Sequence, residues 1–133
     1  FKVFFFNNLT NGIFYAFIHT FIPIIIFQIL FSIFTLINHT HDINFKYHKQ
    51  FYIHQITTAF NINTQSHLLR ILSGGLNCQI EHHLFPSVNS CHLPALAKII
   101  KPICLKYHIK YNETSSLFQA ITDTLKTIKM MTI

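Results

Sequence analysis

The sequence predicts an all-α, integral-membrane helical protein: an apolar helix that crosses the bilayer, then a helical cap in the cytosol. Three observations predict it. A charge-free apolar run fills residues 13–37, and two stripes of apolar residues at helical spacing follow nearer the C-terminus. Hydrophobic residues make up 50% of the chain and charged residues only 11%, against a usual charged share of about 25%. That contrast argues against a disordered chain and against an ordinary soluble surface. The length of 133 residues allows one domain, and a start at Phe1 rather than Met reads as a piece of a longer protein.

The run IFYAFIHTFIPIIIFQILFSIFTLI follows Gly12. It exceeds the roughly 20 residues that carry a helix across a hydrocarbon core of about 30 Å. It is too long for a signal peptide, and no small-residue cleavage site follows it. Pro23 is expected to kink the helix and free one carbonyl. His19 is a functional candidate by its place inside a span, though an interfacial imidazole accounts for it nearly as well. FKVFFF (residues 1–6) reads as the tail of a preceding span, with Asn7, Asn8, Thr10 and Asn11 forming a short turn outside. Of the ten Lys and Arg residues only Lys2 precedes the run. Under the positive-inside rule the remainder is cytosolic. Residues 1–37 are therefore assigned to the membrane, with 12–37 the clear span, and residues 38–133 to the cytosol.

The formal charge of +6 does not indicate nucleic acid, because the lysines are dispersed, without a basic run or an aromatic–basic platform. Cys78, Cys91 and Cys104 are odd in number and form no CxxC pair, so neither a zinc ribbon nor a disulfide framework is indicated. They read as small thiols in a reducing compartment.

Beyond Ile37 the character turns polar at Asn38-His39-Thr40-His41-Asp42, and residues 43–65 stay polar with scattered aromatics. Ser66 opens a predicted helix, HLLRILSGGLNCQIEHHLF, stopped by Pro86. Gly74-Gly75 inside it either bends the helix or admits another backbone. A second helix is predicted from Leu93-Pro94, with Leu96, Ile99, Ile100, Ile103 and Tyr107 in one stripe and Pro102 as a kink. A third follows Ser115-Ser116, striped by Phe118, Ile121, Leu125 and Ile128. Both are expected to pack against the rest of the cytosolic part.

The densest chemical cluster is Gln79-Ile80-Glu81-His82-His83-Leu84-Phe85-Pro86. On a helix Gln79 lies three and four residues before His82 and His83, so all three reach one side. The adjacent imidazoles diverge by about 100°, which suits one ligand to each ion of a close pair better than chelation of one ion. Histidine suits iron and zinc alike, so the ligand type does not choose the metal. A His-His dipeptide alone is weak evidence. Glu81 points off the shared face and would serve as an acceptor orienting a ligand histidine. His39, His41 and His54 could supply further ligands at the membrane surface, although each alone fits an interfacial or solvated side chain better. His48, His67, His92 and His108 carry no assigned role.

QIEHHLFP resembles the third histidine box of membrane fatty-acid desaturases, in the front-end type where Gln replaces the first His of HxxHH. The flanks HQITTAFN (54–61) and GGLNCQIEHHLFP (74–86) are similar to linoleoyl-CoA-type and acyl-lipid front-end enzymes. So is the tail HLPALAKIIKPICLKYHIKYNE (92–113). The resemblance runs from about Asn38 to the C-terminus. It implies the last transmembrane helix of a desaturase with its cytosolic cap, and two iron ions held by histidines from several boxes. His82 and His83 would ligate iron, and Gln79 would sit near the metal, directly or through water. His54 occupies the place of a further histidine found in many members, and ranks below the pair. Asn77 and Gly75 lie in the matched flank, Asn77 among the groups around the ligands. Substrate-binding residues are not identified, beyond the idea that Arg70, Lys98 or Lys101 meets an acidic head group.

The resemblance further implies an O2-dependent acyl desaturase acting on an acyl-CoA or acyl-lipid. Its electrons would come from a b-type cytochrome or ferredoxin, the heme protein being either separate or fused upstream. The compartment would be the endoplasmic reticulum if eukaryotic, with the C-terminus cytosolic. The HxxxH-like and HxxHH-like first and second boxes do not occur in these 133 residues, so the segment by itself is expected to be inactive. A sphingolipid desaturase with the same box remains an alternative. So does a non-catalytic single-span membrane protein or a degenerate desaturase remnant.

Overall fold

The computed structural model describes residues 2–40 and 50–132, with side chains from residue 11 onward. His41, His48, Lys46 and Lys49 lie outside the described residues. The elements run α1 (Lys2–Thr40), α2 (Phe51–Thr58), β1 (Asn61–Ile62), α3 (His67–Ser73), α4 (Gln79–Leu84), α5 (Leu93–Lys106), β2 (Glu113–Thr114) and α6 (Leu117–Met131), with a 3₁₀ turn at Ser90–His92 before α5. The described residues are all-α apart from two strands of two residues each. It divides into two compact units, Phe1–Ser32 and Ile33–Ile133.

The first unit is the leading part of α1. Helix persists through Asn7, Asn8, Thr10 and Asn11, where the sequence reads as a turn, and through Pro23. Asn and Thr cost a helix only tenths of a kcal/mol each, which the flanking apolar residues tolerate. Residues Asn11–Thr40 form a 30-residue stretch long and apolar enough to cross a membrane. At about 1.5 Å per residue that exceeds a hydrocarbon core of about 30 Å.

The second unit begins within α1 and extends it to Thr40, three residues beyond the boundary read from the sequence. Phe34 and Ile37 on this last stretch pack with Phe60, Ile62 and Ala120, flanked by Leu69, Leu76, Leu117 and Ile121. A second apolar cluster joins Ile56 and Ala59 to Ile80 of α4 and to Ile100 and Cys104 of α5. Between the clusters runs the parallel pair β1–β2, with Asn61 opposite Glu113 and Ile62 opposite Thr114. Asn61 N–H donates to Asn112 O (2.9 Å) and Ile62 N–H to Asn77 O (3.0 Å), so one short strand ties the approaches to α4 and α6 together. Asn112 Nδ2 adds a bond to Thr57 O at the end of α2 (2.9 Å).

The predicted helix of residues 67–85 is divided in two. Ser66 Oγ accepts from Leu69 N–H and starts α3 (3.2 Å), as a Ser N-cap should. Gly74 then adopts a left-handed conformation (φ 63°) and ends it. Gly75 (φ 97°) lies against the 3₁₀ turn: a Cβ there would stand 2.5 Å from Ser90 Cβ. The two glycines break the helix and admit a neighbouring segment, which re-aims the chain so that α4 starts in a new direction at Gln79. Helix α5 begins at Leu93 with Pro94 in its first turn, and α6 begins after the Ser116 cap, both as predicted.

The buried faces of α5 and α6 keep part of the stripes read in the sequence, with Ile100 buried and Leu96 and Ile121 packed against the cores, and are otherwise rotated from them. On α5 the buried line is Leu93, Ala97, Ile100 and Cys104, while Ile99, Ile103 and Tyr107 are exposed. On α6 Ala120, Thr124 and Thr127 are buried while Phe118 and Leu125 are exposed. Small side chains let the helices approach closely, and that selects the packed face over the bulkier stripe.

Candidate metal centre

The box residues occupy α4, and burial sorts them by role. Gln79, Ile80 and Glu81 are buried, whereas His82 and His83 are half-buried at the rim. Two imidazoles here diverge as adjacent helical positions must: the ring centroids lie 6.1 Å apart at 86°. His83 reaches back toward the end of α1, where the His39 ring lies 5.6 Å from it. Gln79 stands between these two rings. Its Nε2 is 2.8 Å from His83 Nε2 and 3.5 Å from His39 Nε2. The Gln79 Oε1 accepts from Asn38 Nδ2 (3.3 Å), whose own position is fixed by a bond to Leu76 O (2.9 Å). On the far side of His83, Nδ1 lies 2.7 Å from Gln55 Oε1 on α2.

Burial lowers the pKa of His83, helped by the neighbouring His39 and His82. A neutral imidazole is the metal-binding form. The donor types suit a transition-metal ion: the His39 and His83 imidazoles and the Gln79 carboxamide lie together, while the His82 ring diverges from His83. They fit as part of a set. Among the described residues no group of three or more His, Cys, Asp or Glu side chains lies close enough together to hold a metal ion. His54, half-buried in α2, does not complete such a group with His82 and His83; its neighbour Gln55 is the residue that touches His83.

Glu81 is held by groups other than a histidine. Its carboxylate accepts from Asn61 Nδ2 (2.8 Å) and from Tyr111 OH (2.8 Å), and the side chain is fully buried. Burial raises its pKa, and the Tyr111 and Asn61 hydrogen bonds oppose that rise. The Tyr111 hydroxyl is pushed up in turn, by burial and then by the Glu81 charge. Asn61 Oδ1 accepts the Ile80 N–H (2.9 Å), so the same residue caps α4 and hydrogen-bonds its buried acid. Asn77 is buried too. Its N–H takes Ser73 Oγ (3.1 Å), its Nδ2 donates to Asn63 O (3.3 Å), and it shapes the turn into α4.

Phe51, Gln55, His82, His83 and Pro86 line an open pocket of about 300 Å³. A separate groove holds Thr64, Gln65, Ala97, Lys98, Lys101 and Glu113. There the Lys101 ammonium is paired with Glu113, so its charge is already engaged. Gln55 and Asn38, which motif reading did not single out, and His39, which it named only as a possible further ligand, are the residues the structure adds around Gln79 and His83. The signal for Gln55 was its place beside His54, and for His39 its place at the polar end of the apolar run.

Taken together, the chain has a helix long and apolar enough to cross a membrane, His82 and His83 of α4 line a shallow pocket, and His39 from the end of the helix lies beside His83. A helix long and apolar enough to cross a membrane, followed by a histidine-bearing helical segment, is the arrangement to be matched. Comparison with known proteins supplies the class. The chain matches the fatty acid desaturase family over residues 3–115, and it belongs to that family. It is 38% identical over 68 residues to the probable Delta(5) fatty acid desaturase C of Dictyostelium discoideum, covering 51% of this chain and 15% of that protein. It is 34% identical over 77 residues to the acyl-lipid (8-3)-desaturase of Mortierella alpina, covering 58% and 17%. The sn-1 linoleoyl-lipid 6-desaturase of Synechocystis is likewise 34% identical over 77 residues, covering 58% and 21%. The chain thus spans about a fifth or less of these relatives' length. No solved structure matches it.

Proposed function

We propose that the chain forms part of a front-end fatty acid desaturase and contributes third-box ligands to a di-iron centre at the cytosolic face of a membrane. The enzyme would use O2 to place a cis double bond in a polyunsaturated acyl chain. The observation that carries this reading is Gln79 standing between His83 and His39 while His82 and His83 line an adjoining pocket, in a chain of the desaturase family. His82 and His83 would hold iron, with Gln79 adjacent and His54 a further candidate. Bound iron with O2 supplies the oxidising power to take hydrogen from an unactivated methylene, which no side chain can do.

The chain's own residues do the rest. Gln55 and Gln79 fix the His83 ring between them. Glu81, clamped by Asn61 and Tyr111, anchors α4 from its buried side, so the two imidazoles are presented from a rigid support. Phe51 and Pro86 give the pocket an apolar wall for an acyl chain. The head group, whether of an acyl-CoA or an acyl-lipid, would stay in water near the basic cytosolic cap. Electrons would come from a b-type cytochrome or ferredoxin. These residues alone hold too few ligands for two iron ions, so the segment is inactive without the other boxes.

Expressing the complete reading frame that encodes these residues in yeast, and analysing cellular fatty acids, tests the reading. A new polyunsaturated product that disappears with His82→Ala supports it. Unchanged lipids with both proteins would identify a remnant instead.

A further inference from the structure

A histidine ligand must offer a lone pair, and which ring nitrogen offers it depends on where the other nitrogen puts its proton. Amide orientations and tautomers can be inferred by following a hydrogen-bond chain from a group whose role is fixed. Such a chain ends on His83. The Leu76 carbonyl can only accept, so the Asn38 group facing it at 2.9 Å is the NH2. That NH2 also faces Gln79 at 3.3 Å, which makes the facing Gln79 atom Oε1. The other end of Gln79 is then its NH2, 2.8 Å from His83 Nε2. His83 Nε2 must therefore accept. A neutral ring that accepts at Nε2 carries its proton on Nδ1, and Nδ1 faces Gln55 at 2.7 Å, which must turn its oxygen toward the ring.

We infer that Gln55 and Asn38 are positioning residues that set the tautomer of His83. The relay runs from the Leu76 carbonyl through Asn38, Gln79 and His83 to Gln55, and it leaves the His83 Nε2 unprotonated, its lone pair accepting from the Gln79 NH2, which must turn away for that nitrogen to bind a metal ion. The Gln79 NH2, an electron-poor group, holds that lone pair and also lies 3.5 Å from His39 Nε2. The functional meaning rests on the desaturase reading, whereas the tautomer itself does not. Neither Asn38 nor Gln55 need touch metal or substrate to act in this way.

Ring-nitrogen NMR on the complete chain in detergent micelles, without metal, reads the tautomer directly. His83 is expected with its proton on Nδ1 and a bare Nε2 at neutral pH. Gln55→Glu, which can only accept, keeps that state. The double variant Gln55→Leu/Gln79→Leu loses it, and the Nδ1 resonance moves from the protonated toward the unprotonated type. If the double variant does not fold, the wild-type and Gln55→Glu spectra decide. A wild-type His83 protonated on Nε2, or an unaltered spectrum in a folded double variant, overturns the inference. In the complete gene product, chelator competition is expected to show iron held about 10–100-fold more weakly by Gln55→Leu and restored by Gln55→Glu. Equal iron affinity in Gln55→Leu and wild type overturns the positioning role. A wild-type protein with the expected tautomer that takes up no iron contradicts the desaturase reading instead.

Discussion

Residues 11–32 and the surroundings of α4 are built in opposite senses. Along the leading part of α1 the large apolar side chains lie outside: Phe14 is 61% exposed and Ile25 54%. Around α4 the polar side chains lie inside, with Asn61, Asn77 and Glu81 each at 0%. An apolar exterior is stable only where the surrounding solvent is apolar, as in a bilayer. A polar interior is stable only where each group finds a partner. The first region needs nothing but composition. The second needs a particular set of side chains brought together from distant parts of the sequence, and that set holds the histidines.

The largest effect is expected from the polar interior. Asn61→Ala removes one of the two side-chain donors to the buried Glu81 carboxylate and leaves the Ile80 N–H without its acceptor. A loss of about 4 kcal/mol is expected from those two vacated bonds, read by denaturant unfolding in micelles. Gly75→Ala should follow closely. Its added Cβ would meet Ser90 Cβ at 2.5 Å in a left-handed conformation, and about 3 kcal/mol is expected. Little change for either variant would mean the α4 support is not the rigid element described.

The apolar exterior should behave differently. Ile25→Asp is expected to cost about 3 kcal/mol in a membrane-insertion assay, while Ile25→Ala changes the stability of the second unit by less than about 0.5 kcal/mol. Equal insertion of both variants would remove the bilayer from the explanation. The smallest effect is chemical. Burial, helped by the Glu81 charge, pushes the Cys78 thiol up to about 12, and burial raises Cys104 as well. A raised thiol pKa means less thiolate at a given pH. At pH 8 Cys78 would be ionised in only about one molecule in 10⁴. Maleimide should therefore label the exposed Cys91 and spare Cys78 and Cys104 until the chain unfolds, as mass spectrometry would show.

The same contrast explains what could be read in the sequence. The span was legible because twenty-five consecutive residues carry no charge, and α5 and α6 because Pro94 and Ser116 mark their starts. Helix α2 was not, since its eight residues begin with exposed Phe51 and Tyr52 and bury only Ile56. Strands β1 and β2 are two residues long and exist through contacts across about fifty positions, which no local pattern encodes. The packed faces of α5 and α6 were legible only in part, at Leu96, Ile100 and Ile121, because small residues such as Ala97, Cys104 and Ala120 make up the rest of the contact. At the site, His82, His83 and Gln79 were legible as a motif. Gln55 was hidden because its importance lies in one hydrogen bond to a residue 28 positions away.

The central claim is that the imidazoles of α4 bind iron. Metal analysis of the purified complete gene product, wild type against His82→Ala/His83→Ala, tests it most directly. The account predicts bound iron in the first and its loss in the second, with the helical content unchanged. A double variant that keeps its full iron, or a wild-type protein that holds none, would contradict it.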